Sequence, residues 1–296
     1  MDFKTELKKY QEQVNNELEK YLRKQDCPER ILNNAMEYSL MAGGKRLRPT
    51  LVLSTYKLFK ENLEAAMPYA ISIEMVHNAS LIHDDLPGID NDNLRHGKPT
   101  NHKKFNEATA ILAGDGLFNY AYIVISRDLL NTKNEQKLEK KLKIFREFSE
   151  ATDRMLAGEY LDTECEGKNI SNEALKYIHK NKTGAYLRLC ARMGAILGGA
   201  TENQLEKITK YAEKIGLAFQ IKDDILSEIG DEKITGKPVG NDKEKGKCTY
   251  VSEYGLEKSK EILHQITNEA ILELDEFGEK AEFLADLARY IETRNK

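Results

Sequence analysis

Apolar residues recur along almost all of this chain at the three- and four-residue spacing of helices, with no convincing alternation at the period of a strand. Leu7, Tyr10, Val14, Leu18 and Leu22 form one amphipathic face. Ile31, Met36, Leu40 and Met41 predict a second helix, stopped at Gly43-Gly44. A third apolar run, Leu51 to Leu58, follows the turn KRLRP. Longer periodic runs cover about 63–86, 106–129 and 135–165, and further helices are expected near 171–180, 184–199, 202–228, 254–272 and 276–294. The six prolines fall mostly between these runs. The pattern predicts an all-α chain with no repeat and no linker, and hence a single domain over 1–296. The longest irregular stretch, GDEKITGKPVGNDKEKGKCTY at 230–250, is expected to be a mobile flap.

Composition narrows the function classes. A net charge of −4 with histidine neutral argues against nucleic acid as a partner. Four scattered cysteines, Cys27, Cys165, Cys190 and Cys248, make no C-x-x-C pair and fit a reducing, cytoplasmic setting. The first residues are charged and carry no apolar core of a secretory signal. ATAILAGDGLFNYAYIVI is interrupted by Asp115 and Asn119 and is expected to be a buried helix rather than a membrane span.

The candidate chemistry lies in HNASLIHDDLPGIDNDNLRHGKPT, residues 77–100. An apolar helix ends there in Asp84 and Asp85, where the negative end of its dipole favours a cation. His77, Ser80 and Asp84 share a face, and Pro87-Gly88 forces a turn that can bring Asp90 back toward Asp84. A second acidic pair, Asp223 and Asp224, continues the stripe Leu205, Ile208, Ala212, Ile215, Phe219, with Gln220 beside it. A carboxylate on such a stripe needs a partner, and a metal ion is a natural one. Carboxylate oxygens without a thiol or histidine frame suit Mg²⁺ shared with substrate phosphates. Lys45, Arg46 and Arg48 in GGKRLRP, then Arg95, His96 and Lys98, then Lys182-Thr183, and then Lys237 and Lys247, supply cations that suit a diphosphate. Taken singly, each acid cluster or basic group also reads as a solvated surface.

GGKRLRP, HDDLPxxDNDxLRxGKPTNH at 83–102, LAGDGL at 112–117, KTG at 182–184, FQIKDDIL at 219–226 and GKCTY at 246–250 occur in order. With them the chain resembles, over nearly its whole length, the short-chain trans-isoprenyl diphosphate synthases of the bacterial farnesyl/geranylgeranyl type. The resemblance implies a homodimer and a bundle of long helices around a deep central cavity. It implies Mg²⁺, about three ions per site with substrate bound, held by Asp84 and Asp90 with Asp85 in support, and from the opposite wall by Asp223, with Asp224 next to it. It implies that Arg95, Lys182 and Lys237 contact the allylic diphosphate, with Lys247 in the closing flap. Lys45, Arg48, His77 and His96 would hold isopentenyl diphosphate. Thr183 and Gln220 would turn oxygens toward the developing carbocation. Lys182, Thr183 and Gln220 are thus the catalytic candidates.

The chain departs from the family pattern at four positions. His96 stands where a second arginine is usual, Ser227 where the second acidic motif ends in an aspartate, and Asn93 where an acid is common. A neutral imidazole is a weaker phosphate ligand than an arginine fork. Ala79, roughly 6–8 Å below Asp84 together with Ser80, stands where farnesyl synthases of this type often carry an aromatic floor. The expectation is a cavity open to a C20 product, against a C15 product if Met75, Phe118 or Tyr120 fills the space. A class I terpene cyclase and a non-catalytic partner subunit are the alternative readings.

Overall fold

The computed structural model describes residues 2–21, 28–165, 167–168, 171–229 and 249–295. Leu22 and the 230–248 segment, with Lys237 and Lys247, lie outside the described residues. The chain is all-α, as its spacing predicts. The helices are α1 (Phe3–Tyr21), α2 (Arg30–Leu40), α3 (Leu47–Lys57), α4 (Met67–Asp84), α5 (Asn101–Lys104), α6 (Glu107–Asn131) and α7 (Glu135–Glu164). They continue as α8 (Asn172–His179), α9 (Ala185–Gly198), α10 (Glu202–Ile229), α11 (Tyr250–Tyr254), α12 (Leu256–Leu272) and α13 (Glu282–Thr293). They fall into two compact units, 1–53 with 62–143, and 54–61 with 144–296.

The first unit is built around α4. Every residue from Tyr69 to Val76 is buried, polar Ser72 and Glu74 included. A helix apolar on all sides belongs at a centre rather than on a face. It packs most extensively against α6, and α1 presents Leu7, Tyr10, Val14 and Leu18 to the same core. Close approach to α6 depends on Gly114, since a Cβ there would lie 2.1 Å from His83 Nε2. The His83 ring sits instead against the α6 backbone, its Nε2 3.0 Å from the Ile111 carbonyl.

Several details differ from the spacing. In α2 the buried residues are Asn33, Ala35 and Leu40, while Ile31 is 61% exposed, because its neighbours and not its apolar content choose its inward face. Helix α6 is not buried throughout: 39% of its most apolar window is inside, and Ile111 and Leu112 face outward. By length and composition it would also pass for a membrane span. Two two-residue strands, Leu94–Arg95 (β1) and Lys98–Pro99 (β2), pair antiparallel with Arg95 opposite Lys98. His96 and Gly97 between them both take positive φ, 52° and 74°, the signature of a tight type I′ turn. Such a pair is too short to leave a period-2 pattern.

In the second unit α10 is the spine, packed against α9, α12 and α13. Its stripe Leu205, Ile208, Ala212 and Ile215 is buried, and Tyr211 donates to the Leu284 carbonyl at 2.7 Å. Arg192 of α9 is clamped by Glu147 at 2.7 and 2.8 Å and by Thr209 at 2.8 Å. The helix expected over 276–294 is divided at Gly278, whose φ of 55° and ψ of −141° no helix accommodates; α13 begins at Glu282.

One buried ion pair ties the first unit together. Arg46 is 4% exposed and Glu74 3%. Arg46 donates to Glu74 Oε1 (2.6 Å), to the Leu40 carbonyl (2.5 Å) and, through Nε, to Asn15 Oδ1 (2.9 Å). Asn78 also donates to Glu74 Oε1, at 3.1 Å. Helices α1, α2 and α4 are thereby joined to one side chain. Removing one partner of such a pair strands the other charge in the core. We expect R46M to cost about 3–5 kcal/mol, read as a lower denaturant midpoint, with R46M/E74L losing less than R46M alone. A loss in R46M below about 1 kcal/mol would show that the pair is not the tie.

Candidate active site

In the first unit the acids and the cations meet at the end of α4. The turn after Asp84 closes as its Pro-Gly pair suggests: the Asp90 N–H donates to the Asp84 carbonyl at 2.8 Å, and Asn91, at positive φ, donates to the Leu86 carbonyl at 3.0 Å. Asp84 and Asp90 are both partly exposed, and Asp84 shares its helix face with the part-buried Ser80 and His77. Asp85 is buried and grips Arg95, which reaches it through Nε at 3.1 Å and through a terminal nitrogen, and reaches Asp92 at 3.4 Å. Sequence grouped Asp85 with the metal candidates; the structure gives it an arginine as counter-ion.

The GGKRLRP turn approaches the hairpin through glycine. A Cβ on Gly44 would lie 3.4 Å from His96 Nε2, so the two motifs, about 50 residues apart in sequence, are in contact. Arg46, which sequence placed with the phosphate-binding cations, is instead the buried tie described above. Lys45 remains partly exposed and its carbonyl accepts from Gln11 at 2.8 Å. Arg48 donates to His77 Nε2 at 3.3 Å. Burial, then Arg48, Arg46, Arg95 and His96, push the His77 pKa well below 6.5. Partial burial, then Arg95, Arg46, Lys45 and Lys98, push His96 down as well. Both rings are therefore neutral at neutral pH, among several cations. A narrow cleft, lined in part by Tyr38, Asn78, Leu81, Arg95, His96 and Lys98, opens beside His96.

Ala79 is fully buried, five residues before Asp84 and so about 140° around the helix from it. Ser80, at about 40°, lies on the Asp84 side, and its hydroxyl donates to the His77 carbonyl at 2.9 Å.

In the second unit Lys182 and Thr183 sit in a π-helical turn, Lys180–Gly184, between α8 and α9. Thr183 is buried and Lys182 is partly exposed, its Nζ held by Glu159 and Asp162 of α7. Gln220 lies half-buried on α10. The inward carboxylate of the second acidic pair is Asp224, not Asp223. Asp224 is 8% exposed and accepts the Tyr250 N–H at 2.7 Å, which anchors the start of α11. The side chain of Asp223 is 45% exposed and pairs with Arg294, whose guanidinium stacks 4.1 Å from the Phe219 ring centroid and donates to the Phe219 carbonyl. Sequence reading missed Glu159, Asp162 and Arg294. The first two had a faint signal, carboxylates three apart after Gly158; Arg294 had none.

Among the described residues no three carboxylate, histidine or cysteine side chains converge on a preformed cation cage. All-oxygen donors in ones and twos still fit Mg²⁺, which keeps its waters and takes remaining ligands from substrate phosphates.

A family model described as Polyprenyl synthetase matches residues 29–285. The farnesyl diphosphate synthase of Geobacillus stearothermophilus is 43% identical over 261 residues, 87% of this chain and 86% of that protein. The chloroplastic geranylgeranyl pyrophosphate synthase of Capsicum annuum is 42% identical over 267 residues, 90% of this chain and 72% of that protein. The crystal structure of an FPP/GFPP synthase from Zymomonas mobilis superposes with a TM-score of 0.87 at 34% identity, covering 98% of this chain and 99% of that one. The chain belongs to the polyprenyl synthetase family, the prenyltransferases of isoprenoid biosynthesis.

The neutral histidines set a pH dependence. A histidine held below its unfolded pKa takes up a proton on unfolding, so its contribution is present above about pH 6.5 and is lost as the pH falls toward the folded value. We expect H77Q, which cannot titrate there, to lose less stability than the parent between pH 6.5 and about 5, by urea unfolding at stepped pH. Equal slopes would show that His77 is not held neutral.

Proposed function

We propose that this chain condenses isopentenyl diphosphate head-to-tail with an allylic diphosphate, dimethylallyl or geranyl, releasing pyrophosphate, and that residues 1–296 act as one catalytic domain in the cytoplasm. The observation that carries this is the first unit's juxtaposition of Asp84 and Asp90 with Lys45, Arg48, His77, Arg95 and His96. One face offers hard oxygens for a cation and cations for an anion. A cyclase, acting on one diphosphate, has no use for the second cationic set at Lys45 and Arg48.

In the first unit Asp84 and Asp90 would hold Mg²⁺; in the second, Asp223 is the candidate ligand. When bound, the metal neutralises charge on the departing pyrophosphate and so favours ionisation of the allylic C–O bond. Arg95 in the first unit, and Lys182 in the second, are the cations suited to developing phosphate charge. Lys45, Arg48, the neutral His77 and His96 hold isopentenyl diphosphate by its phosphates while its double bond attacks the allylic cation. A proton is then lost to the released pyrophosphate. Thr183 and Gln220 direct oxygens at the cation. Asp85 acts by aiming Arg95, and Asp224 by seating α11.

For product length we favour C20. Neither Ala79 nor Ser80 supplies an aromatic floor, and of the two Ser80 lies on the Asp84 side. Incubation with Mg²⁺, isopentenyl diphosphate and C5, C10 or C15 starters should end at C20. S80F should shorten the product, and D84N should lower turnover by at least about 100-fold. A parent endpoint of C15 would overturn the open-floor reading, and no product from any starter would overturn the activity.

We further propose a homodimer through α6, whose Ala108, Ile111, Leu112, Asp115 and Asn119 share an exposed, largely apolar face. Sedimentation at micromolar concentration should give a dimer, and L112E a monomer. A monomeric parent would sink this reading.

A further inference from the structure

Lys182 is not left open for a phosphate. Its Nζ lies 2.6 Å from Asp162 Oδ2 and 2.8 and 3.0 Å from the two oxygens of Glu159. Two carboxylates around one ammonium give this corner a net negative charge at neutral pH. Burial lowers the Lys182 pKa, but Asp162 and Glu159 outweigh it, and the net shift is upward. The ammonium therefore stays charged with two of its three N–H donors engaged.

The same turn of α7 also seats the backbone. A Cβ on Gly158 would lie 2.4 Å from the Lys182 nitrogen, so α7 touches the π-helical turn directly. From the other side, a Cβ on Gly216 of α10 would lie 3.2 Å from Gly184 Cα. Gly216 is one turn before Gln220 and two before Asp223 and Asp224. The turn that bears Lys182 and Thr183 is thus registered against α10 by glycine contact, and its flexible four-carbon side chain is stretched toward α7 by charge.

We propose that Glu159 and Asp162 are positioning residues of the transfer reaction, holding the Lys182 ammonium extended and neutralised until a diphosphate joins them as a hydrogen-bond acceptor of Lys182. This rests on Lys182 being a diphosphate ligand. A lysine ordered in advance loses less side-chain freedom when the anion arrives. The cost is competition, because the ammonium must be shared with two carboxylates. Glu159 and Asp162 therefore trade ground-state affinity for a fixed geometry.

The test is direct calorimetric binding of inorganic pyrophosphate in Mg²⁺ buffer, alongside steady-state kinetics, for the parent, E159Q, D162N, K182M and E159Q/K182M. We expect K182M to weaken pyrophosphate binding. E159Q and D162N should tighten it by up to about fivefold, the scale of a partly exposed ion pair, while kcat falls. In the K182M background E159Q should change nothing, and E159D should restore parental behaviour. A purely structural bridge would instead lower the melting temperature without tightening pyrophosphate. E159Q keeps the size and most of the polarity of a partly exposed side chain, so it carries the test if D162N disturbs α7. If K182M weakens binding but E159Q does not tighten it, or if E159Q tightens it equally without Lys182, positioning is overturned and the assignment of Lys182 stands. If K182M leaves pyrophosphate affinity unchanged, both fall.

Discussion

The Arg46–Glu74 pair is the constraint on which the first unit depends. A guanidinium and a carboxylate, each under 5% exposed, must satisfy one another or destabilise the fold. Satisfying Arg46 takes groups from α1, α2 and α4 at once. It also requires Arg46 to adopt a φ of 50°, after two glycines at 115° and 109°. That backbone path carries Lys45 and Arg48 to either side of a fixed point and brings Gly44 against His96. The cations proposed to hold isopentenyl diphosphate are therefore arranged around a side chain that is not available to bind it.

The same economy recurs at the other candidate groups. Arg95 is aimed by Asp85, Lys182 by Glu159 and Asp162, and Asp223 is met by Arg294. Strongly charged groups gathered for an anionic diphosphate would repel one another without it. Internal counter-ions remove that repulsion, and on the proposed assignment substrate binding is an exchange of partners rather than a first neutralisation. Neutral His77 and His96 serve the same end, since two more positive charges among Arg46, Arg48, Arg95 and Lys98 would be costly.

Much of this was legible in the chain. Helical spacing predicted the long helices to within a few residues, except that the last was expected to start before Gly278 and starts at Glu282; long amphipathic or wholly apolar runs favour no other regular structure. The Pro87-Gly88 turn and the second acidic motif on α10 were readable for the same local reasons. Short elements were not: a two-residue strand pair and the four- and five-residue helices α5 and α11 have no period to detect. The face of α2 was misread because periodicity shows that a face exists, while the neighbour decides which residues occupy it. Asp223 and Asp224 were misassigned for a related reason. An apolar stripe ending in a carboxylate predicts an inward charge, but the start of α11 covers Asp224, whose carboxylate accepts the Tyr250 N–H, and Asp223 is left to Arg294.

By itself, then, the sequence determined which residue types could do this chemistry and on which helices they stand, since spacing and local turn geometry need only near neighbours. Tertiary structure alone decided which of those charges are committed to the protein. Arg46 and Arg48 are two residues apart and look alike in sequence; one is buried against Glu74 and the other lies beside His77. Lys182 looks like an isolated cation until α7 supplies Glu159 and Asp162 from some twenty residues away. The physical reason is that a charge's role depends on its solvation and its counter-ion, and both come from parts of the chain that sequence order does not place beside it.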